Sequence, residues 1–314
     1  MNNRKIVIAL GGNAILTDRP TAAAQKEALT KTAKSLAQLI KNGNDILITH
    51  GNGPQVGNLL LQNIEADSEM NPAFELDSLV AMTEGSIGYW LQNALQNELK
   101  KLNINKSVGS VVTQVVVDIN DEAFINPTKP IGPYYSEKEA KAEMANSNSL
   151  FKEDAGRGWR KVVASPKPVE IKEIDIIKTL IENQHVVIAG GGGGVPVINN
   201  NETFEGVEAV IDKDYASKEL ATAIKADLFI ILTAVDHVFI NYNKPEQTKL
   251  EAVNYKELES YIKENHFAPG SMLPKIEATM DFVKENPTSN SIITSLDNLE
   301  NLVEGSTGTT ISYQ

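Results

Sequence analysis

No cysteine occurs anywhere in the 314 residues. Disulfides and thiolate metal sites are therefore excluded, and a reducing compartment, the cytoplasm, is the expected setting. Histidine is scarce as well. His50, His185, His237 and His266 show neither an H-E-x-x-H pattern nor any paired spacing, which leaves no zinc signature. The G-x-S-x-G elbow of serine hydrolases is missing, and without a single Gly-Lys dipeptide there is no Walker loop. Positive charge is in deficit, with 29 Lys and Arg against 41 Asp and Glu and a net charge of −12. A nucleic-acid partner needs the opposite balance to neutralise phosphates. Long apolar runs are absent too: the run at residues 6–10 is too short for a signal sequence or a membrane span.

What is present reads as a layered α/β protein. A hydrophobic fraction of 41% and a charged fraction of 22% are those of an ordinary globular chain long enough for two lobes. KIVIAL (5–10) and DILIT (45–49) are near-continuous apolar runs, the pattern of strands covered on both faces of a parallel sheet. Between them Thr21 is placed to cap a helix whose Leu29, Ala33, Leu36 and Ile40 share one face, with Gly43 as its stop. Further helices are expected over 76–102, 171–183, 215–226, 255–265, 275–285 and 296–303. Strands are expected over 108–117, 185–189, 228–233, 291–294 and 308–312. Between 118 and 168 stand five of the thirteen prolines and the charged block KEDAGRGWRK, so this stretch reads as an inserted subdomain or lid.

Three strands run into glycine: Gly11-Gly12-Asn13, Gly51-Asn52-Gly53 and Gly190–Gly194. Any one of them is an ordinary tight turn, but three at one sheet edge form an anion site, because ligands of parallel sheets bind at the carboxyl ends of strands. The five-glycine run is not a dinucleotide fingerprint. It lacks the third glycine at the required spacing, and Pro196 opposes a helix opening there. A few lysines focused on such a cleft outweigh a repulsive net charge. Three sit in informative settings: Lys213 between Asp212 and Asp214, with Asp214 read as the cap of the next helix; Lys275 after Pro274, in a first turn it destabilises by about 0.3–1 kcal/mol unless an anion intervenes; and Lys129, framed by prolines. His50, beside the second loop, reads as structural.

In order along essentially the whole chain, IALGGNAI, THGNGPQVGN, NPTKPIGP, VIAGGGGGVPV, VIDKDYASKELA and GSMLPK resemble the carbamate kinases of the amino acid kinase fold. The NPTKP segment and the five-glycine run are particular to that family; acetylglutamate and UMP kinases share only the outline. The resemblance implies a three-layer αβα sandwich on an open, mostly parallel eight-stranded sheet. Residues 1–206 would form a carbamate or carbamoyl phosphate lobe, carrying a protruding subdomain at about 118–168, and 207–314 a nucleotide-binding lobe. It implies a homodimer that transfers a phosphoryl group reversibly between ATP and carbamate, with Mg²⁺ riding on the nucleotide, in the ATP-forming direction of arginine deiminase fermentation. Lys129, Lys213 and Lys275 would surround the transferred group, with Asp214 orienting its two flanking lysines. Gly11, Gly12, Asn13, Gly51 and Asn52 would cradle carbamate and phosphate, and Gly190 and Gly191 would face the same crevice. Thr233, Ala234, Val235 and Asp236 resemble the nucleotide stretch, with Tyr242 and Met272 near adenine; no side-chain metal ligand is assigned. Many relatives on this fold carry a lysine before the first glycine pair, where this chain has Ala9-Leu10, and Lys129 would supply that charge. Carbamate is already an anion, so no general base is required. The alternatives are a kinase for another small carboxylate or phosphate, and a nucleotide sensor without turnover.

Overall fold

The computed structural model describes residues 4–15, 21–147, 149–154, 156–299 and 307–314, without the side chain of Asn13. The chain opens with β1 (Lys5–Leu10), a 3-10 turn at Gly12–Ala14, α1 (Ala22–Lys41), β2 (Asp45–His50), α2 (Gly53–Ala66), α3 (Leu76–Lys101) and β3 (Val108–Val111). It continues through β4 (Gln114–Val117), α4 (Glu122–Ile125), β5 (Lys129–Tyr135), α5 (Glu137–Asn146), β6 (Leu150–Glu153), β7 (Trp159–Val163), β8 (Pro168–Ile171) and α6 (Ile174–Glu182). Then come β9 (Val186–Ala189), a turn at Gly191–Gly193, β10 (Val195–Asn199), β11 (Phe204–Gly206), α7 (Lys213–Ala223) and β12 (Leu228–Thr233). The last elements are β13 (Val238–Ile240), β14 (Thr248–Leu250), β15 (Ala252–Asn254), α8 (Tyr255–Lys263), α9 (Met272–Glu285), β16 (Asn290–Ser295) and β17 (Thr309–Ser312).

Eight strands form the main sheet in the order β15-β17-β16-β12-β1-β2-β9-β3. The six from β16 to β3 run parallel, and β17 and β15 oppose them at one edge. The alternation of β1 divides its side chains between two cores. Ile6, Ile8 and Leu10 face α1 and α3 through Leu29, Leu36, Ile87 and Leu91. Val7 and Ala9 face α6, α7 and α9 through Ile181, Leu220, Ile276 and Phe282. Both faces are thus covered, which is why the strand reads as an unbroken apolar run. Each such fully buried Leu or Ile contributes roughly 1.5–3 kcal/mol. β1 pairs with β2 on one side and β12 on the other, so the strand order reverses beside it, and a crevice is left at its carboxyl end.

A second, four-stranded sheet runs β11-β10-β4-β8, and the insert forms a three-stranded antiparallel sheet β5-β7-β6 with α5. Ile131 and Val163 of the insert join Val56 of α2 and Val80 of α3 in a third apolar cluster, which seats it over α2.

Five sequence expectations are corrected here. The strand over 108–117 is two strands in different sheets, because the Thr113 hydroxyl donates to the Val111 carbonyl at 2.8 Å and ends the pairing. The helix over 171–183 begins only at Ile174, since Ile171 belongs to β8, paired with β4. The helices expected over 215–226 and 275–285 start at Lys213 and Met272. The helix over 296–303 meets turn backbone at 296–299, and its remainder lies outside the described residues.

Candidate active site

A cavity of about 250 Å³ opens at the carboxyl ends of β1 and β2. Gly12 from the first glycine loop, Gly51 and Asn52 from the second and Gly192 from the third line it, together with Lys129, Lys213, Asp214 and Lys275. Residues far apart in sequence meet because each strand delivers its terminal loop to the same sheet edge.

The start of α7 organises the charge. Asp212, and not Asp214, is its cap: the Asp212 carboxylate accepts from Asp214 N at 2.9 Å. Both aspartates sit two residues or fewer from the helix start, and the chain uses the outer one as cap. That frees the Asp214 side chain, which is 3% exposed, to accept from Lys213 Nζ at 2.6 Å on one oxygen and Lys275 Nζ at 2.9 Å on the other. Burial alone pushes the Asp214 carboxyl up, but the charges and hydrogen bonds of the two lysines outweigh it and hold it well below the usual carboxylate range. The lysine against the α9 dipole is therefore balanced by an anion, and Lys275 also donates to the Ser271 carbonyl at 3.2 Å. Lys129 reaches in from the insert to the other Asp212 oxygen at 2.8 Å.

Backbone ties hold the loops to the lysines. Thr49 and Ser217 share a hydrogen bond of 2.6 Å, and Ser217 donates to the Lys213 carbonyl, so β2 and α7 are linked directly beneath the cavity. The Lys213 stem lies over Gly51, where a Cβ would stand 3.5 Å from Cδ. At Gly192, with φ of +68°, a Cβ would stand 2.2 Å from the Asn52 amide. Only glycine allows that approach.

Some expected residues stand back from the cavity. Gly190 and Gly191 are turned into the core, packed against Leu220 and the His50 ring, so Gly192 is the member of the run that faces the space. Gly11 is buried against the Leu232 carbonyl, where it permits close approach of β1 and β12. Asn13 lies in the turn that follows. His50 is structural: burial, abetted by the Lys213 charge and opposed by its bond to the Gly51 carbonyl, takes its pKa down to about 4.

A second and larger cavity of about 950 Å³ adjoins the first, and Gly270 and Lys275 line both. Thr233, Ala234, Val235, Tyr242 and Met272 line it; Asp236 does not. Every residue of its lining comes after β12 begins, from Thr233 to Lys275. Sequence reading did not assign Asp212 or Gly192 of the smaller cavity, or Phe239 and the 265–269 loop of the larger one. The DKD triplet and the five-glycine run contained the signal for the first two; the others had none. Among the described residues no cluster of three or more His, Asp or Glu is arranged to hold a metal, and no helix is long and apolar enough to cross a membrane.

The amino acid kinase family model matches residues 4–294. Carbamate kinase 1 of Enterococcus faecium is 58% identical over 296 residues, 94% of each chain. The carbamate kinase of Oenococcus oeni is 54% identical over 313 residues, 99% of this chain and all of that one. Among solved structures, a carbamate kinase from Giardia lamblia bound to AMP-PNP superposes with a TM-score of 0.93 at 42% identity, covering 99% of both chains.

Proposed function

Since this chain belongs to the amino acid kinase family, as one of its carbamate kinases, and transfers a phosphoryl group reversibly between ATP and carbamate, we propose how its residues divide that work. The smaller cavity takes carbamate or carbamoyl phosphate and the larger takes ADP or ATP. The single observation that carries this is Lys275, which borders both cavities and shares Asp214 with Lys213. Residues 1–206, with the insert at about 118–168, form the carbamoyl phosphate lobe, and 207–314 form the nucleotide lobe. The Giardia lamblia carbamate kinase bound to AMP-PNP supports a nucleotide in so similar a chain.

In the ATP-forming direction, that of arginine deiminase fermentation, a terminal phosphate oxygen of ADP forms a bond to the phosphorus of carbamoyl phosphate. The bond from phosphorus to the carbamate oxygen breaks, and carbamate leaves with the electron pair as an anion. No proton moves, so no general base is needed. What the reaction needs is in-line placement and positive charge around the equatorial oxygens. Lys129, Lys213 and Lys275 bring the charge; Gly12, Gly51 and Asn52 bring the cradle. Asp214 keeps two lysines in place. Mg²⁺ arriving on the nucleotide phosphates neutralises part of their charge. The donor set fits that mode of arrival, because Asp212 and Asp214 are already paired with lysines. We place the enzyme in the cytoplasm as a homodimer.

With ADP, Mg²⁺ and carbamoyl phosphate supplied together, ATP is expected to appear, as read by a coupled luminescence assay. ATP formed from another acyl or phosphoryl donor, with carbamoyl phosphate inert, would move the acceptor assignment. Nucleotide binding without any ATP would favour the sensor.

A further inference from the structure

No residue of α3 lines the carbamoyl phosphate cavity, yet its buried stripe carries the polar residues Thr83 and Glu84, besides Glu98 near its end. Leu79, Val80, Thr83, Glu84, Ile87 and Leu91 face inward at helical spacing, so a threonine and a carboxyl stand where burial favours apolar side chains. Thr83 Oγ1 and Glu84 Oε2 are committed to the loops. Thr83 Oγ1 accepts from Asn52 Nδ2 at 2.8 Å. Glu84 Oε2 accepts from Thr113 N at 2.9 Å, and the Gly191 N–H faces the same carboxyl. Thr113 then brackets the glycine run at both ends: its hydroxyl accepts from Gly190 N at 2.8 Å, and its carbonyl accepts from Val195 N at 2.8 Å.

Two atoms of this cluster are buried and without a hydrogen bond among the described residues, Glu84 Oε1 and His50 Nε2. Both side chains flank Gly191, where a Cβ would stand 2.5 Å from the His50 ring and 3.1 Å from Glu84 Cγ. His50 Nδ1 lies 2.9 Å from the Gly51 carbonyl, a contact only a donor satisfies, so Nε2 is left as an acceptor. Burial, opposed by the Thr113 amide, raises the Glu84 carboxyl well above the usual carboxylate range.

We propose that Glu84, with Thr83 and Thr113, is a positioning assembly that sets the spacing of Gly51-Asn52 and the glycine run across the carbamoyl phosphate cavity. This rests on the assignment of that cavity to carbamoyl phosphate. α3 is the rigid element that both loops are measured from. The tie differs from mere packing in having a directional consequence for one substrate and not the other.

The test is steady-state kinetics with carbamoyl phosphate and ADP varied separately, on the full chain carrying Thr83→Val, Thr113→Val, Glu84→Ala or Glu84→Gln, with Asn52→Ala as the marker of the cavity. The first three are expected to raise KM for carbamoyl phosphate roughly 5- to 30-fold, the range of one lost buried hydrogen bond, with KM for ADP within about twofold. Glu84→Gln keeps an acceptor for the Thr113 amide, and should stay within about threefold of the parent. Should Glu84→Ala fail to fold, the two shape-conserving valine variants decide. The proposal falls if the valine variants leave KM for carbamoyl phosphate unchanged, if both KM values rise together, or if Glu84→Gln is as defective as Glu84→Ala. Asn52→Ala separates the two readings. If it alone raises KM for carbamoyl phosphate, only the assembly falls; if it too has no effect, the cavity assignment falls.

Discussion

Replacing Lys213 or Lys275 by alanine is expected to lower kcat ~10²–10³-fold, the loss that follows removal of one fixed donor to a developing anion. The size follows from the setting. The two ammonium groups are 14% and 17% exposed, so their charge acts in a site with little water, and both are fixed on the same carboxylate before substrate arrives. Either single variant leaves Asp214 one lysine partner, so the fold is expected to persist, which a far-ultraviolet circular dichroism spectrum checks. KM should move less than kcat, because the charge being stabilised is greatest in the transition state. A variant with unchanged kcat would remove that lysine from the reaction.

Asp214→Ala is expected to be worse, failing in both stability and turnover. It strands two partly buried ammonium groups beside each other, and removing one partner of a buried ion pair costs about 3–5 kcal/mol. A fall of the thermal midpoint by roughly 5 °C or more is the expected reading, by calorimetry or dye binding. Asp214→Asn keeps the acceptor and loses the charge, and should fall between the parent and alanine. The pH dependence has a definite sign. The folded carboxyl is held below its unfolded value, so its contribution to stability is fully present above the unfolded pKa of about 4 and is lost as pH falls through the folded value. Acidification below about pH 4 should therefore destabilise the parent more steeply than Asp214→Asn. Parallel acid profiles for the two proteins would remove the ion pair from the stability account.

Much of the architecture was legible because buried parallel strands announce themselves. KIVIAL and LFIILT became β1 and β12 with the expected ends, since both faces are covered and every residue but the terminal Lys5 and Thr233 is apolar. The segment over 108–117 was legible as extended chain but not as two sheets. The break depends on Thr113 bonding back to Val111, and β-branched residues on either side look alike. In the DKD triplet both aspartates are good caps, and the choice of Asp212 is made by the tertiary pull of Lys213 and Lys275 on Asp214. Five consecutive glycines offer no side chain to tell wall from core, so the distinction between Gly191 and Gly192 rests on which of them lines the cavity. Proline is tolerated throughout a first helical turn, which is why Pro274 marked the neighbourhood of the α9 start and not its first residue. The four charged residues Lys129, Lys213, Asp214 and Lys275 were singled out in sequence and line one cavity. Thr83 and Glu84 passed unnoticed inside an amphipathic helix, although a carboxyl on the buried stripe was the available sign.

We propose that the insert takes part in the chemistry through Lys129, the third lysine of the cavity. In this structure that lysine is 33% exposed and held by Asp212, within the cavity but on the outer oxygen of the helix cap. The direct measurement is kcat of Lys129→Ala in ATP formation from carbamoyl phosphate, ADP and Mg²⁺, beside the parent. A loss of ~10²-fold or more with an intact fold is the predicted result. Parental turnover would contradict it and leave the insert as a cover over a site complete without it.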